Sequence, residues 1–386
     1  MTRMRNALGF GIGLALLAAP AAGAPSPARI EAEALDAMRR TGARGLAMAV
    51  IEDGRVAFVR AWGDRNLRGD PLQSDTVMYG ASLTKAVFAF TVMQLVEEGK
   101  LDLDRPLAEY LPRPLPEYGN LDAYGNWADL AGDDRWRRLT ARHLLTHSSG
   151  WSNFSWDEPD GKLRFHFEPG SRYAYSGEGI ILLQFVIEKG LGLDLGREMK
   201  RRVFDRFGMA NTSMMWRPDF ARNLADGWRK DGSVEPHDER SRVRAAGSMD
   251  TTIADFARFA AAFVRGEGLK PATRAEMLRG QLPIRTASQF PSVAPEAAPE
   301  KRWKSLAAGL GVVAFEGPQG RGFFKGGHND STGNMWVCLE KRRRCVVLLA
   351  NDVRAEAAFP GLAEAILGET GLPWRWEYSW LPANAP

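Results

Sequence analysis

The sequence predicts an α/β fold of the α+β type, in which an antiparallel sheet is flanked by terminal helices and interrupted by a mostly helical lobe. Residues 46–51 and 56–61 are rich in β-forming residues and enclose the pair Asp53-Gly54, a strong signal for a β-hairpin. Further β-rich runs lie near the other end of the chain, and the region between them is helical and rich in loops. Strands from both chain ends are therefore expected to share one sheet.

The first 24 residues have the pattern of a secretory signal peptide. Arg3 and Arg5 precede an apolar run over residues 7–19, and small residues at 21–24 offer cleavage points. The apolar run is shorter than the ~20 residues that a membrane span needs. We therefore expect a periplasmic or secreted protein that keeps no stable membrane anchor after cleavage.

The elements after the hairpin are predicted from changes in the apolar period. A helical insertion lobe is expected over about residues 103–245, and it contains a helix candidate at 179–189. Residues 252–265 follow the 3.6-residue helical period, and residues 288–301 have the composition of an exposed loop. The remaining strands are expected over residues 307–315, 321–325, 334–339 and 345–350, followed by a helix from about residue 355 to 367 and a packed arm that contains Trp374, Trp376 and Trp380.

The two cysteines flank a basic turn. If the strands before and after residues 341–344 pair with each other, Cys338 and Cys345 face each other across the ladder. In an oxidising compartment they would form a disulfide; the alternative is two separate buried thiols.

One short motif predicts chemistry. Ser82 and Lys85 are three residues apart at the start of an apolar run, so they share one face of a helix. A serine at that helix start has a free backbone N–H and lies at the positive end of the helix dipole, and the lysine can reach its hydroxyl as a base. The alternative is a helix-capping serine followed by a solvated lysine. The apolar surroundings of Lys85 favour the catalytic interpretation.

Several segments in order resemble the class C β-lactamase-related serine hydrolases, which include D-alanyl-D-alanine carboxypeptidases, D-amino-acid peptidases and β-lactamase-fold esterases. The resemblance covers about residues 28 to 370, and we expect residues 25–386 to form a single catalytic domain of this type. Its segments are TARHLLTHSSG at 140–150, FEPGSRYAYSG at 167–177, FGMANT at 207–212, AAGSM at 245–249 and GGHND at 326–330.

The resemblance implies a role for each matching residue. Ser82 would be the nucleophile and Lys85 its base, and Tyr175 would pass a proton to the leaving group. Tyr175 can do so only if its pKa is lowered by nearby cations, for which Lys85 and protonated His328 are the candidates. The strings Tyr118-Gly119-Asn120 and Tyr124-Gly125-Asn126 also match the family's Y-x-N, but both precede the segment at 140–150.

The third motif of the family is expected at residues 326–330. There His328 would face the site, Gly327 and Asn329 would contact substrate, and the backbone N–H of Ser331 would complete an oxyanion hole with Ser82. Asp330 stands where the family has glycine, which would bring a carboxylate near the site.

A second departure is Gly177, which replaces the asparagine of Y-x-N. Without that amide, and with His328 in place of a permanent cation, the sequence favours an ester or a D-amino-acid peptide substrate over a β-lactam. β-Lactamase or D-alanyl-D-alanine carboxypeptidase activity is the alternative, and a non-catalytic periplasmic binding or sensing relative is the alternative of another class.

Other functions lack support in the sequence. There is no G-x-S-x-G elbow, and Leu144 stands where a zinc helix with His143 and His147 would need glutamate. The formal charge of +4 falls to +2 without Arg3 and Arg5, and we expect no nucleic-acid partner. A small molecule or peptide is the expected substrate, and no cofactor is implied.

Overall fold

A computed structural model describes residues 25–382; the predicted signal peptide lies outside them. The main element is an eight-stranded antiparallel sheet in the order β2-β1-β14-β13-β12-β11-β10-β9, and three two-stranded pairs accompany it. The strands are β1 (Gly45–Glu52), β2 (Arg55–Gly63), β3 (Met78–Tyr79), β4 (Asn120–Leu121), β5 (Gly125–Asn126), β6 (Gly227–Trp228), β7 (Val234–Glu235), β8 (Asp250–Thr251), β9 (Leu282–Pro283), β10 (Ala307–Ala308), β11 (Val313–Gly317), β12 (Gly320–His328), β13 (Gly333–Leu339) and β14 (Arg344–Ala350).

Helices cover both faces of the sheet and fill the region between its two halves. The α-helices of the described residues are α1 (Pro27–Thr41), α2 (Leu83–Glu97), α3 (Ala141–Leu145), α4 (Gly177–Phe185), α5 (Leu195–Met199), α6 (Ile253–Arg265), α7 (Pro271–Leu278), α8 (Phe359–Leu367) and α9 (Trp374–Glu377). Among residues 25–382, no helix combines the length and the apolar character that a membrane span requires.

The two ends of the chain meet in the sheet as predicted. Asp53 and Gly54 both have positive φ, 48° and 74°, which suits the tight turn between β1 and β2. On its other side β1 pairs with β14, with Ala49 opposite Val347. Since β1 is a central strand covered on both faces, its sequence is apolar almost throughout.

Two predicted elements are divided in the structure. The strand expected over residues 307–315 is two short strands, β10 and β11, because the chain turns at Gly311, where φ is 78° and an added side chain would overlap Ala89 of α2. The helix expected from residue 355 begins as a 3₁₀ turn at Val353–Ala358 and becomes α-helical in α8.

The cysteines form the predicted disulfide. Cys338 on β13 lies opposite Cys345 on β14, and the two are joined with a Cα–Cα distance of 4.1 Å. The basic segment between them is the hairpin turn, where Arg344 binds Glu52 of β1 at 2.7 Å.

The core has two layers because side chains alternate between the faces of the sheet. On β14, Val347 points to the layer that contains α2 and α6, and Val346 points to the layer of α1 and α8. Every residue of α2 from Leu83 to Leu95 is buried, so this helix runs through the interior. Its first turn lies beside the end of β12, so Ser82 and Lys85 are held between helix and sheet.

Candidate active site

The site is built around Ser82, which immediately precedes α2. The turn before it is constrained, since Ala81 has φ of 45° and the Gly80 N–H donates to the Met249 carbonyl at 2.9 Å. The hydroxyl Oγ lies 2.9 Å from Lys85 Nζ and 2.9 Å from the phenolic oxygen of Tyr175. The structure thus brings together the three residues that the sequence singled out.

Lys85 is placed to act as a base. Its Nζ donates to the Ala246 carbonyl at 2.5 Å, which leaves the lone pair of a neutral amine free for the Ser82 hydroxyl. Burial, and after it the charge of Lys325, lower the pKa of Lys85 well below its usual value. A lysine in this environment gives up its proton readily and can accept one from serine.

Tyr175 is fixed by the segment that resembles the family's LLTHTSG motif. His147 stacks on the Tyr175 ring with centroids 4.3 Å apart, and its carbonyl accepts the Ala174 N–H at 2.7 Å. The expectation of a lowered pKa is wrong for this tyrosine. Burial raises the pKa of Tyr175, and the hydrogen bond to Ser82 offsets only part of that effect. Tyr175 is therefore a neutral proton donor in the resting site.

Lys325, which sequence reasoning missed, occupies the place expected for His328. Its Nζ lies 3.4 Å from the Tyr175 oxygen and 5.1 Å from the ring centroid, and it donates to the Gly326 carbonyl at 2.6 Å. Burial lowers the pKa of Lys325 to about 8. The string Lys325-Gly326-Gly327 itself matches the K-x-G form of the third motif, and this match could have identified Lys325 from the sequence.

His328 lies at the rim instead. Its side chain is 32% exposed, and Nδ1 faces the Glu356 carboxylate at 3.3 Å. Although burial opposes the charged ring, Glu356 raises the pKa of His328 above its usual value. Side chains alternate along β12, so His328 and Lys325 lie on opposite faces of the strand, and the His328 ring lines the cavity beside Phe290, with centroids 6.3 Å apart.

The backbone of His328, rather than that of Ser331, supplies a donor next to Ser82. The Ser331 N–H is taken by Asn329 Oδ1 at 3.0 Å, so the expectation for Ser331 is wrong. The Asn329 N–H bonds the Thr332 carbonyl at 3.1 Å, and hydrogen bonding alternates along an antiparallel pair, so the His328 N–H points away from β13. No strand of the described sheet pairs with β12 on that side beyond Phe324.

The Ser82 N–H is the second donor. Within residues 25–382 it donates to no acceptor. Gly327 brings β12 against it: a Cβ added to Gly327 would lie 2.8 Å from the Ser82 and Leu83 nitrogens. Two convergent N–H groups beside a nucleophile have the arrangement of an oxyanion hole.

The other residues of the third motif lie farther out. Asp330 is exposed and does not line the cavity of Ser82, so no carboxylate enters the site from this turn. Asn329 lines a separate small cavity with Ser331, and the expected contact of Asn329 with substrate is therefore not supported by its position.

Gly177 begins α4, and the carboxamide that the sequence lacks at this position comes from another segment. A side chain at Gly177 would meet Phe154 Cζ at 2.5 Å and Asn153 Oδ1 at 3.2 Å. Asn153 Oδ1 accepts the Gly177 N–H at 3.0 Å, and the Asn153 carbonyl accepts the Glu178 N–H at 2.9 Å. The amide nitrogen of Asn153 is then left as a donor at the edge of the cavity.

These groups open into one cavity of about 490 Å³, which Ser82, Lys85, Tyr175 and Lys325 line. One wall is aromatic and is formed by Phe154, Trp156 and Phe290. The lining also includes a charged loop that contains Arg240, Arg242 and Arg244 together with Asp238 and Glu239. Among the described residues, no group of three or more His, Cys, Asp or Glu side chains has the arrangement of a metal site.

Comparison with known proteins gives relatives that include esterases, acyltransferases and a carboxypeptidase. The chain is 29% identical to a lovastatin esterase of Penicillium rubens over 50% of this chain and 54% of the esterase. It is also 29% identical to esterase EstB of Burkholderia gladioli, over 47% of this chain and 50% of EstB. The chain therefore spans about half the length of these two relatives. It is 24% identical to the D-alanyl-D-alanine-carboxypeptidase/endopeptidase AmpH of Escherichia coli over 73% of this chain and 72% of that protein.

Solved structures share the fold. The octameric penicillin-binding protein homologue from Pyrococcus abyssi superposes with a TM-score of 0.69 at 19% identity, over 90% of this chain and 78% of that one. The D-alanine carboxypeptidase AmpC from Burkholderia cenocepacia superposes with a TM-score of 0.68 at 19% identity, over 88% of this chain and 98% of that one. The Beta-lactamase family model matches residues 29–369. This chain therefore belongs to the Beta-lactamase family of serine hydrolases, esterases and peptidases.

Proposed function

We propose that the protein hydrolyses carboxylic esters through an acyl-enzyme on Ser82. The observation that carries the proposal is the convergence of Lys85 Nζ and the Tyr175 hydroxyl on Ser82 Oγ, each at 2.9 Å. The nucleophile Ser82 and the base Lys85 are within hydrogen-bonding distance, and Tyr175, which can donate a proton to the leaving group, contacts the same Ser82 oxygen.

In acylation, neutral Lys85 takes the Ser82 proton while Oγ attacks the ester carbonyl. The negative charge that develops on the carbonyl oxygen is stabilised by the N–H groups of Ser82 and His328. Tyr175 gives its proton to the departing alkoxide, and the Lys325 ammonium stabilises the transient phenolate. Proton transfer from Lys85 to Tyr175 then restores both groups.

In deacylation, water replaces the leaving group and the same residues act in the reverse direction. Lys85, through Tyr175, takes a proton from water as its oxygen attacks the acyl carbonyl, and Ser82 Oγ recovers a proton as it leaves. The balance is one ester and one water converted into one acid and one alcohol.

Ester hydrolysis is supported by the chemistry of Tyr175 and by the relatives. An alkoxide leaves more easily than an amide nitrogen, and a tyrosine kept neutral by burial can supply the one proton that it needs. Two relatives with 29% identity are named as esterases, whereas relatives with 30% identity over 45% of this chain are named as methylbutanoyltransferases.

A D-amino-acid peptide or D-alanyl-D-alanine substrate is the second candidate, and Lys325 favours it. A buried cation in the cavity can bind a substrate carboxylate, and the free amide nitrogen of Asn153 can donate to a peptide carbonyl. β-Lactamase activity is the third candidate, on the same grounds.

A substrate panel distinguishes these activities. Purified protein is assayed with a short-chain p-nitrophenyl ester, a D-alanine amide and nitrocefin, with Ser82→Ala as the control. The proposal is supported if kcat/KM is largest for the ester. If kcat/KM is larger for the amide or for nitrocefin, peptidase or β-lactamase activity replaces ester hydrolysis as the proposed function. Absence of turnover on all three would favour a non-catalytic binding or sensing relative.

We also propose export, on the basis of the first 24 residues. The substrate would then be a small molecule or peptide met outside the cytoplasm, with no nucleic-acid partner and no stable anchor. Expression with a carboxyl-terminal tag, fractionation and amino-terminal sequencing test this: a mature start within 22–25 is expected, and an intact Met1 in the cytosolic fraction would refute it.

A further inference from the structure

A buried carboxylate that the proposed reaction does not use lines the catalytic cavity. Glu377 ends α9, in the segment we call the C-terminal arm (residues 370–382), and it is only 6% exposed. Its Oε2 accepts the Gln289 Nε2–H at 2.9 Å. A side chain added to Gly326 would overlap Glu377 Oε1, so the carboxylate is packed directly against the strand that carries Lys325.

The arm that carries Glu377 is firmly anchored. Trp374 and Trp376 are buried, and Trp376 Nε1 donates to Thr286 Oγ1 at 3.1 Å. The Trp376 carbonyl accepts the Gln289 N–H at 2.8 Å, so the residue that binds the carboxylate is itself bound by the arm. A carboxylate held this way, out of water, is costly unless a charged group compensates it.

Lys325 is the cation that can compensate it. Within the described residues no carboxylate, Glu377 included, lies within 4.0 Å of Lys325 Nζ, so Glu377 and Lys325 interact as charges that line one cavity and not as a direct ion pair. Lys325 Nζ is bonded only to the Gly326 carbonyl and the Tyr175 hydroxyl. Of the other carboxylates nearby, Glu356 faces His328, whereas Asp238 and Glu239 lie on the exposed loop that also carries Arg240. Glu377 is the carboxylate in the buried part of this cavity.

We propose that Glu377 is a positioning residue whose carboxylate keeps Lys325 charged beside Tyr175, so that the C-terminal arm is a working part of the active site. This rests on the proposed acyl-enzyme function and adds to it a residue outside the family motifs. It also gives a reason for Gly326, since any side chain there would displace the carboxylate.

The groups that face Glu377 define the expected pH behaviour. They are Lys325 and His328 of β12, Glu356 before α8, Gln289, and the phenols of Tyr173, Tyr175 and Tyr378. Burial lowers the pKa of Lys325, and Glu377 opposes this; burial raises the pKa of Glu377, and Lys325 opposes that. Without the carboxylate charge, Lys325 loses its proton at a lower pH.

The test is Glu377→Gln, which keeps the shape and an acceptor for Gln289. The matched control is Glu364→Gln, the same change on the exposed face of α8. The alkaline limb of kcat/KM on a neutral ester is expected to move down by about one pH unit in Glu377→Gln and to stay in place in Glu364→Gln. Equal alkaline limbs in the two folded variants would refute the proposal.

A second readout does not depend on turnover. The Nζ resonance of Lys325, assigned through Lys325→Arg in ¹⁵N-lysine protein, is titrated in wild type, Glu377→Gln and Glu377→Asp. A lower midpoint in Glu377→Gln, with recovery in Glu377→Asp, supports the proposal even if the protein hydrolyses none of the substrates. An unchanged midpoint overturns it even if the protein is an active esterase. If Glu377→Gln does not fold, the coupling is read from its other partner: the Glu377 carboxyl resonance of ¹³C-glutamate protein, assigned through Glu377→Asp, should titrate at a higher pH in Lys325→Gln than in wild type, and an unchanged midpoint overturns the proposal.

Discussion

Gly327→Ala is expected to disable the oxyanion site with little effect on the rest of the fold. The added Cβ would lie 2.8 Å from the Ser82 and Leu83 nitrogens and 3.1 Å from the Gly80 carbonyl oxygen. These are backbone atoms at the start of a buried helix, so the strand or the helix must move by roughly 0.6 Å, the difference between 2.8 Å and an ordinary contact of 3.4 Å. A shift of that size misplaces both N–H donors relative to the carbonyl oxygen.

The expected loss is large in catalysis and small in stability. Removal of one oxyanion donor costs ~10²–10³ in kcat, and overpacking of a well-packed site costs ~1–3 kcal/mol. The assay is kcat/KM on a p-nitrophenyl ester together with the thermal midpoint from circular dichroism. The control is Gly361→Ala on α8, where the new Cβ meets no atom within 4 Å and helix propensity favours alanine by ~0.5–1 kcal/mol. A folded Gly327→Ala protein with kcat/KM within about threefold of Gly361→Ala would refute this account of the oxyanion site.

Three further predictions concern the base, the second lysine and the disulfide. Lys85→Met keeps the apolar packing but removes the base, so the rate of acylation should fall by ~10²–10⁴ in stopped-flow assays, and a loss below tenfold would contradict the role of Lys85. Wild-type kcat/KM should fall as the pH rises through about 8, where Lys325 loses its charge. Lys325→Gln should remove this alkaline fall and lower kcat/KM roughly 10- to 100-fold, whereas His328→Gln should keep it. The reverse pattern would show that His328, and not Lys325, is the cation that acts in the site. Cys338 and Cys345 should give no thiol signal in the unreduced, denatured protein, and their reduction should cost less than the ~3 kcal/mol expected of a 15-residue loop because their sequence separation is only 7; two reactive thiols would disprove the bridge.

The parts of the site that the sequence predicts are those held by local geometry. Ser82 and Lys85 lie one helical turn apart, so their meeting follows from helix formation alone. The position of Tyr175 follows from its place in a segment with Pro169 and Gly170. Tyr118 and Tyr124 of the two earlier Y-x-N strings lie next to the short strands β4 and β5 and do not line the cavity of Ser82.

The parts that the sequence does not predict depend on strand register and on contacts between distant segments. The predicted third motif lies three residues too far along β12, and because an odd shift turns a side chain to the other face of the strand, the prediction names His328 in place of Lys325. Asn153 reaches the start of α4 through a loop, and Glu377 reaches β12 from the end of the chain. Neither contact leaves a periodic pattern in the sequence. The raised pKa of Tyr175 likewise follows from burial, which is a property of the folded chain.

The central claim is that Ser82 forms the acyl-enzyme, and covalent labelling tests it most directly. The protein is treated with a fluorescent phosphonate, digested, and mapped by mass spectrometry, with Ser82→Ala treated in parallel. We expect a single adduct on the peptide that contains Ser82 and no labelling of Ser82→Ala, because no other hydroxyl in the cavity has both Lys85 and Tyr175 at 2.9 Å. An adduct on another residue of wild type, or labelling that persists in Ser82→Ala, would contradict the assignment.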